Sequence, residues 1–92
     1  MRNRGRTDII GQIMEAAENG CNKTTIMYKA YLSFDQLKQY LTLVTDNGLL
    51  EYSAEKKEYR TTEKGKEFLR IYRQVIHIAL HSKPALDPNV YF

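Results

Sequence analysis

A mostly helical α+β fold is predicted by three features of this 92-residue sequence. Ser33 followed by Gln36 is a capping box, and it opens a helix whose Leu37, Leu41 and Val44 recur at i, i+4 and i+7. Gly48 stands where that helix has to leave through a left-handed residue, a conformation costly for any side chain with a Cβ. Two short runs, Leu49–Tyr52 and Glu58–Thr61, flank the charged tip Ser53–Lys57 and read as a hairpin. Capped helix, glycine stop and charged hairpin make the second half of a winged helix-turn-helix. The expected architecture is three helices and a two-stranded wing, followed by a long C-terminal dimerisation helix.

Taken in order, residues 1–6 form a basic N-terminal arm carrying Arg2, Arg4 and Arg6. The winged core is expected over 7–61. Thr7-Asp8 is a helix start, with the hydroxyl as cap and the carboxylate at the positive end of the helix dipole. Ile9, Ile10, Ile13, Met14 and Ala17 give that helix one apolar face, and Asn19-Gly20 closes it. Gly11 inside it costs up to about 1 kcal/mol relative to alanine and suits close packing against a neighbour. Lys23–Ala30 is a short second helix capped by Thr24 or Thr25, with Ile26, Met27 and Ala30 toward the core, and Tyr31-Leu32 is the turn into Ser33.

Thr62 caps the last helix, expected over 62–83, where Pro84 forbids continuation. At about 1.5 Å per residue it is nearly 30 Å long. Leu69, Tyr72, Ile76 and Ala79 repeat in a/d fashion, with Phe68, Val75, Ile78 and Leu80 on their flanks. This is more apolar surface than a small winged domain covers, and a second copy of the same helix is the simplest cover. Leu69, Tyr72, Val75, Ile76, Ala79 and Leu80 are therefore the expected dimer interface. Residues 84–92 are a tail whose Val90, Tyr91 and Phe92 either stay in solvent or fold back on apolar surface.

With 42% hydrophobic and 27% charged residues the chain is ordinary globular material with room for one domain. No apolar run approaches the roughly 18 residues of a membrane span, and the N-terminus lacks a signal-peptide core, so a cytoplasmic location is expected. The single cysteine, Cys21, rules out an internal disulfide and a cysteine-cluster zinc site; its default role is small-hydrophobe packing. His77 and His81 stand at i, i+4 without a third ligand nearby, so no metal is expected. No phosphate loop and no nucleophile–base set appear, so neither a cofactor, a small-molecule substrate nor an enzymatic activity is expected.

The net charge of +3 and isoelectric point near 9.0 lean basic, and the basic residues cluster. They crowd the N-terminal arm and the stretch Lys56, Lys57, Arg60, Lys64, Lys66, Arg70 and Arg73, as a polyanionic partner would select. In a helix-turn-helix the second helix of the motif fits the major groove and presents side chains to base edges. Here that helix starts at Ser33, and Ser33, Gln36, Lys38, Gln39 and Thr42, away from its apolar stripe, are the residues expected to supply base selectivity. Arg2, Arg4, Arg6, Lys56, Lys57 and Arg60 are the expected phosphate contacts, with Lys23 and Lys29 as further candidates. The alternative is a winged helix that holds another protein, with these charges serving solubility; Asp35 and Asp46 favour it.

The runs KTTIMYKAYLS (23–33), LKQYL (37–41), NGLL (47–50) and TEKGKEFL (62–69), with RGRTDII (4–10), resemble the small archaeal winged-helix DNA-binding proteins. The likeness spans about residues 4–76 and is similar to the ten-kilodalton archaeal chromatin-associated proteins, dimerised by an antiparallel coiled coil of the last helix. It implies double-stranded DNA as partner, a homodimer, nucleoid association, and a role in transcription regulation or chromatin. The stop at Pro84 makes the coiled-coil seam shorter than in that family.

Overall fold

The computed structural model describes residues 4–81, the last of these by its backbone only; Arg2 and the tail 84–92 lie outside the described residues. Four helices and one hairpin follow in the order α1 (Arg6–Ala16), α2 (Lys23–Lys29), α3 (Phe34–Asp46), β1 (Leu50–Ser53), β2 (Glu58–Thr61) and α4 (Glu63–His81). This is the winged helix-turn-helix expected from the sequence. No helix among the described residues is long and apolar enough to cross a membrane.

Helix α1 begins at Arg6 rather than after a Thr7 cap. Gly5 is its extended N-cap, and the Asp8 carboxylate reaches back to accept from the Gly5 N–H at 3.2 Å. Asp8 thus performs the return half of a capping box, placing Thr7 inside the first turn and taking Arg6 out of the arm. Helix α2 is capped by Asn22, whose Oδ1 accepts from the Thr25 N–H at 2.8 Å; Thr24 and Thr25 lie inside the first turn. The Ser33 cap on α3 is as expected: Ser33 Oγ accepts from the Gln36 N–H at 3.1 Å while Gln36 Oε1 accepts from the Ser33 N–H at 2.9 Å.

Helices α2 and α3 end alike. After α3, Gly48 (φ +73°) donates to Thr45 O at 3.0 Å and Leu49 to Val44 O at 2.9 Å. After α2, Tyr31 (φ +54°) donates to Tyr28 O at 3.3 Å and Leu32 to Met27 O at 3.0 Å. Both are Schellman caps, with glycine in the left-handed position of one and tyrosine in that of the other. The tyrosine turn is supported from outside. The Arg4 guanidinium donates to the Ala30 and Tyr31 carbonyls, the latter at 2.8 Å, and to Gln12.

Strands β1 and β2 pair antiparallel with Tyr52 opposite Tyr59 and Glu51 opposite Arg60. The outer edge of β2 is taken up by the α1–α2 linker. Cys21 and Tyr59 exchange backbone hydrogen bonds of 2.9 and 2.7 Å, and the Thr61 N–H donates to Ala17 O at 3.0 Å. Cys21 is therefore a half-buried strand partner at the wing base, a role that its position near a helix end did not reveal.

The core gathers Ile9, Ile13 and Met14 of α1, Ile26 of α2, and Leu37, Leu41 and Val44 of α3 beneath Leu50 and Leu69. Leu69, expected at a dimer seam, is 1% exposed and belongs to the chain's own core. Tyr72 also turns inward: it is half-buried, its ring fills the space a Cβ on Gly11 would need, and its hydroxyl donates to Asp8 Oδ1 at 3.2 Å. Ile76 is half-buried, whereas Val75, Ala79 and Leu80 are exposed. Ile71 and Ile78 are exposed too, so Ile71, Val75 and Ile78 make an outward stripe at i, i+4 and i+7. Ile71 was not among the expected seam residues. The apolar arc of α4 is wide enough for two faces, and burial of Leu69 and Tyr72 assigns one face to the core.

Candidate nucleic-acid interface

The buried stripe of α3 dictates what the helix shows to solvent. With Leu37, Leu41 and Val44 inward, Asp35, Gln36, Lys38, Gln39 and Thr42 are all exposed. Gln39 points most directly away from the core, because it stands about 200° around the helix from Leu37 at 100° per residue. The five do not have equal freedom. Ser33 and Gln36 are engaged with each other's backbone in the capping box, and Thr42 Oγ1 donates to Lys38 O at 3.1 Å. Asp35, Lys38 and Gln39 carry the polar heads left to face a partner, with the Lys38 ammonium 5.5 Å from the centroid of the Phe34 ring.

Two grooves flank this ridge. One, of about 340 Å³, is lined by Arg6 of α1 and by Gln39, Tyr40, Thr42, Leu43 and Asp46. The other, of about 320 Å³, lies between α2, α3 and the wing and is lined by Lys23, Phe34, Leu37, Lys38, Leu41, Thr42 and Tyr59. Thr42 borders both. The second groove continues past Lys23 and Tyr59 into a third depression with Asn22, Thr24, Tyr52 and Lys57.

Several cations expected to face a polyanion have partners within the chain. Arg60 lies on the wing face opposite Tyr59, 3.9 Å from Glu58 and across the ladder from Glu51. Lys66 pairs with Glu63 at 3.5 Å and Arg70 with Glu67 at 2.6 Å, which holds the Glu67 carboxyl below its ordinary range. Arg73 bridges to Glu15 and Glu18 at 3.4 and 3.2 Å, tying α4 to α1. Lys64 donates to Asn47 O at 2.7 Å, where α3 ends. Arg4, half-buried, serves the α2–α3 turn. Among the described residues, Lys23, Lys29, Lys38, Lys56, Lys57 and Arg6 are exposed and make no ion pair. Lys23, like Lys29, is a further phosphate candidate from the sequence. Its placement at the start of α2 beside the wing is set by the tertiary fold.

The wing tip is fixed by local chemistry. Ser53 Oγ accepts from the Lys56 N–H at 3.2 Å, and Lys57 takes a left-handed conformation (φ +54°), so both lysines are thrown outward. Beneath them the Tyr52 and Tyr59 rings pack with centroids 4.7 Å apart at 48°. Burial pushes the Tyr59 phenol above its ordinary value, with Tyr52 adding to the shift. Burial likewise pushes the Cys21 thiol up, with Lys29 opposing and Glu58 reinforcing. Among the described residues no three His, Cys, Asp or Glu side chains converge as a metal site. The side chain of His81, four residues after His77, lies outside the described residues.

The winged helix-turn-helix family matches residues 3–80. The chain is similar to the crystal structure of Sso10a-2, a DNA-binding protein from Sulfolobus solfataricus, at 28% identity and a TM-score of 0.75. The similarity covers 84% of this chain and 83% of that one. No curated protein matches.

Proposed function

The chain belongs to the winged helix-turn-helix family, and from that premise we propose that it binds double-stranded DNA as a homodimer. Helix α3 enters the major groove with the wing beside it. The observation that carries this reading is the ridge of α3. Its apolar stripe is sealed in the core, while Lys38 and Gln39 stand outward between two grooves, near the unpaired cations Lys23 and Lys57. An α-helix fits the major groove, glutamine can pair bidentately with adenine, and lysine reaches guanine or phosphate. Arg6, Lys23, Lys29, Lys56 and Lys57 position the protein on phosphates, with Arg2 of the arm as a further candidate; Lys38 and Gln39 supply base selectivity. The description of Sso10a-2 as a DNA-binding protein supports the same reading.

Dimerisation rests on α4. Ile71, Val75, Ile78 and Leu80 are 46–69% exposed on its last turns, a surface that a second α4 would bury. The resulting protein acts without catalysis as a transcriptional regulator or a small nucleoid-associated protein. The spread of affinity among duplexes separates these two roles.

Fluorescence anisotropy with random and promoter duplexes, titrated across salt, tests the proposal. Binding should weaken with salt at a log–log slope of about 0.9 per phosphate neutralised. Reversing the charge of Lys56 and Lys57 should weaken all duplexes alike, and Gln39→Ala should reorder them. Absence of binding at low salt would overturn the reading. It would favour a protein-interaction role, which the Asp35 and Asp46 carboxylates on the outward side of α3 recommend.

A further inference from the structure

The groove between α2, α3 and the wing differs in chemistry from its neighbours. The groove beside Arg6 includes Asp46, and the two on the α1 side include Glu15. The α2–α3–wing groove and its continuation are lined by three lysines, Lys23, Lys38 and Lys57, and by no carboxylate. They are also lined by Phe34, Tyr52 and Tyr59. Phe34 is 57% exposed and Tyr52 51%, so both rings are open to a ligand.

The rings are presented rather than loose. Phe34 is the first residue of a capped helix and holds the Lys38 ammonium 5.5 Å from its centroid. Tyr52 is braced by Tyr59, 4.7 Å away and opposite it in the ladder. The duplex interior cannot use such rings, because its bases are already stacked. An unpaired strand can, since every base has a π-face and stacking combined with a cationic track is how single strands are held.

We infer that this groove binds single-stranded DNA, with bases stacked on Phe34 and Tyr52 and phosphates on Lys23, Lys38 and Lys57. Thr24 and Asn22 at the mouth add hydrogen-bonding groups for the sugar–phosphate chain. The ligand differs from the duplex of the proposed function, and the inference stands on the groove's lining, although α3 borders both surfaces.

The test uses the full chain and an oligothymidylate of about fifteen nucleotides, within the range one small domain covers. The chain has seven tyrosines and no tryptophan, so its intrinsic emission is tyrosine emission, and stacking should quench it. Anisotropy should show saturable, salt-sensitive binding. Phe34→Leu and Tyr52→Leu, which keep apolar bulk but remove the ring, should each lower oligothymidylate affinity about tenfold. Duplex affinity of Tyr52→Leu should change by less than about twofold. Both positions are exposed, and an unchanged thermal midpoint certifies the fold. No oligothymidylate binding at low salt, or equal losses on single strand and duplex, would overturn the inference. Oligothymidylate binding without duplex binding would support it and instead remove the proposed function.

Discussion

Tyr31 and Gly48 occupy the same position in two copies of one helix-ending motif, so they should respond oppositely to substitution. The left-handed conformation costs a residue with a Cβ about 1–2 kcal/mol. Gly48→Ala should therefore destabilise by about 1 kcal/mol, a fall in melting temperature of several degrees for a domain of this size. Tyr31, 77% exposed, has little packing to lose, and Tyr31→Gly should be neutral or stabilising by up to about 1 kcal/mol. A large loss from Tyr31→Gly would mean that the ring contributes contacts beyond this motif. Arg4 is the external brace of that turn: Arg4→Ala should speed amide exchange around Leu32 while leaving α4 protected. Gly65 is a different case. A Cβ there would sit 2.2 Å from Leu49 O, a backbone atom with little room to move, so Gly65→Ala should lower the melting temperature more than Gly48→Ala.

At the scale of elements, the fold biases two groups at the base of the wing toward their protonated forms. Burial raises the Cys21 thiol above its ordinary value of 9.0 and the Tyr59 phenol above 10.0, and the two residues are joined by paired backbone bonds. A group whose pKa is higher folded than unfolded contributes stability that is complete below its unfolded value and is lost as pH rises through the folded one. The urea midpoint should therefore fall progressively above pH 9.0, first through the thiol and then through the phenol. Cys21→Ala should remove the first part of that fall; a midpoint unchanged up to pH 11 would refute the assignment. Helix α3 shows how element-scale order narrows function. Its strongest sequence signal, the Ser33–Gln36 cap, commits two of the expected base readers to holding the helix, leaving Lys38 and Gln39.

For the molecule as a whole, the decisive division is along α4. Leu69 and Tyr72 join it to the core, Arg73 ties it to Glu15 and Glu18, and beyond Ile76 its apolar residues face outward. Val75→Glu should leave the melting curve of a dilute monomer nearly unchanged and shift the mass in light scattering from dimer to monomer. Leu69→Ala should instead cost about 2–5 kcal/mol, as a buried leucine does, and unfold the chain before it separates any dimer. A wild-type protein that is monomeric at every concentration would end the dimer proposal and leave the duplex reading to be judged by its own titration.

Local chemistry made much of this fold legible in advance. The Ser33 cap, the Gly48 stop, the Thr62 cap and the 3.6-residue stripe of α3 each depend on residues within a few positions of one another, so the sequence alone determined the element order and the winged class. The Asp8 return bond to the Gly5 cap and the Asn22 cap could have been read by the same rule of an oxygen three residues from a backbone donor. What lay beyond the sequence is whatever depends on which distant segments meet. Cys21 became a strand partner because the α1–α2 linker closes the edge of β2. Arg60 turned to Glu58, and Arg4 to the carbonyls after α2. Leu69 and Tyr72 went inward and Ile71 outward, because a helix with a wide apolar arc can bury either side until a neighbour such as Gly11 makes room for one. Periodicity specifies that a face is apolar, and only packing specifies what covers it.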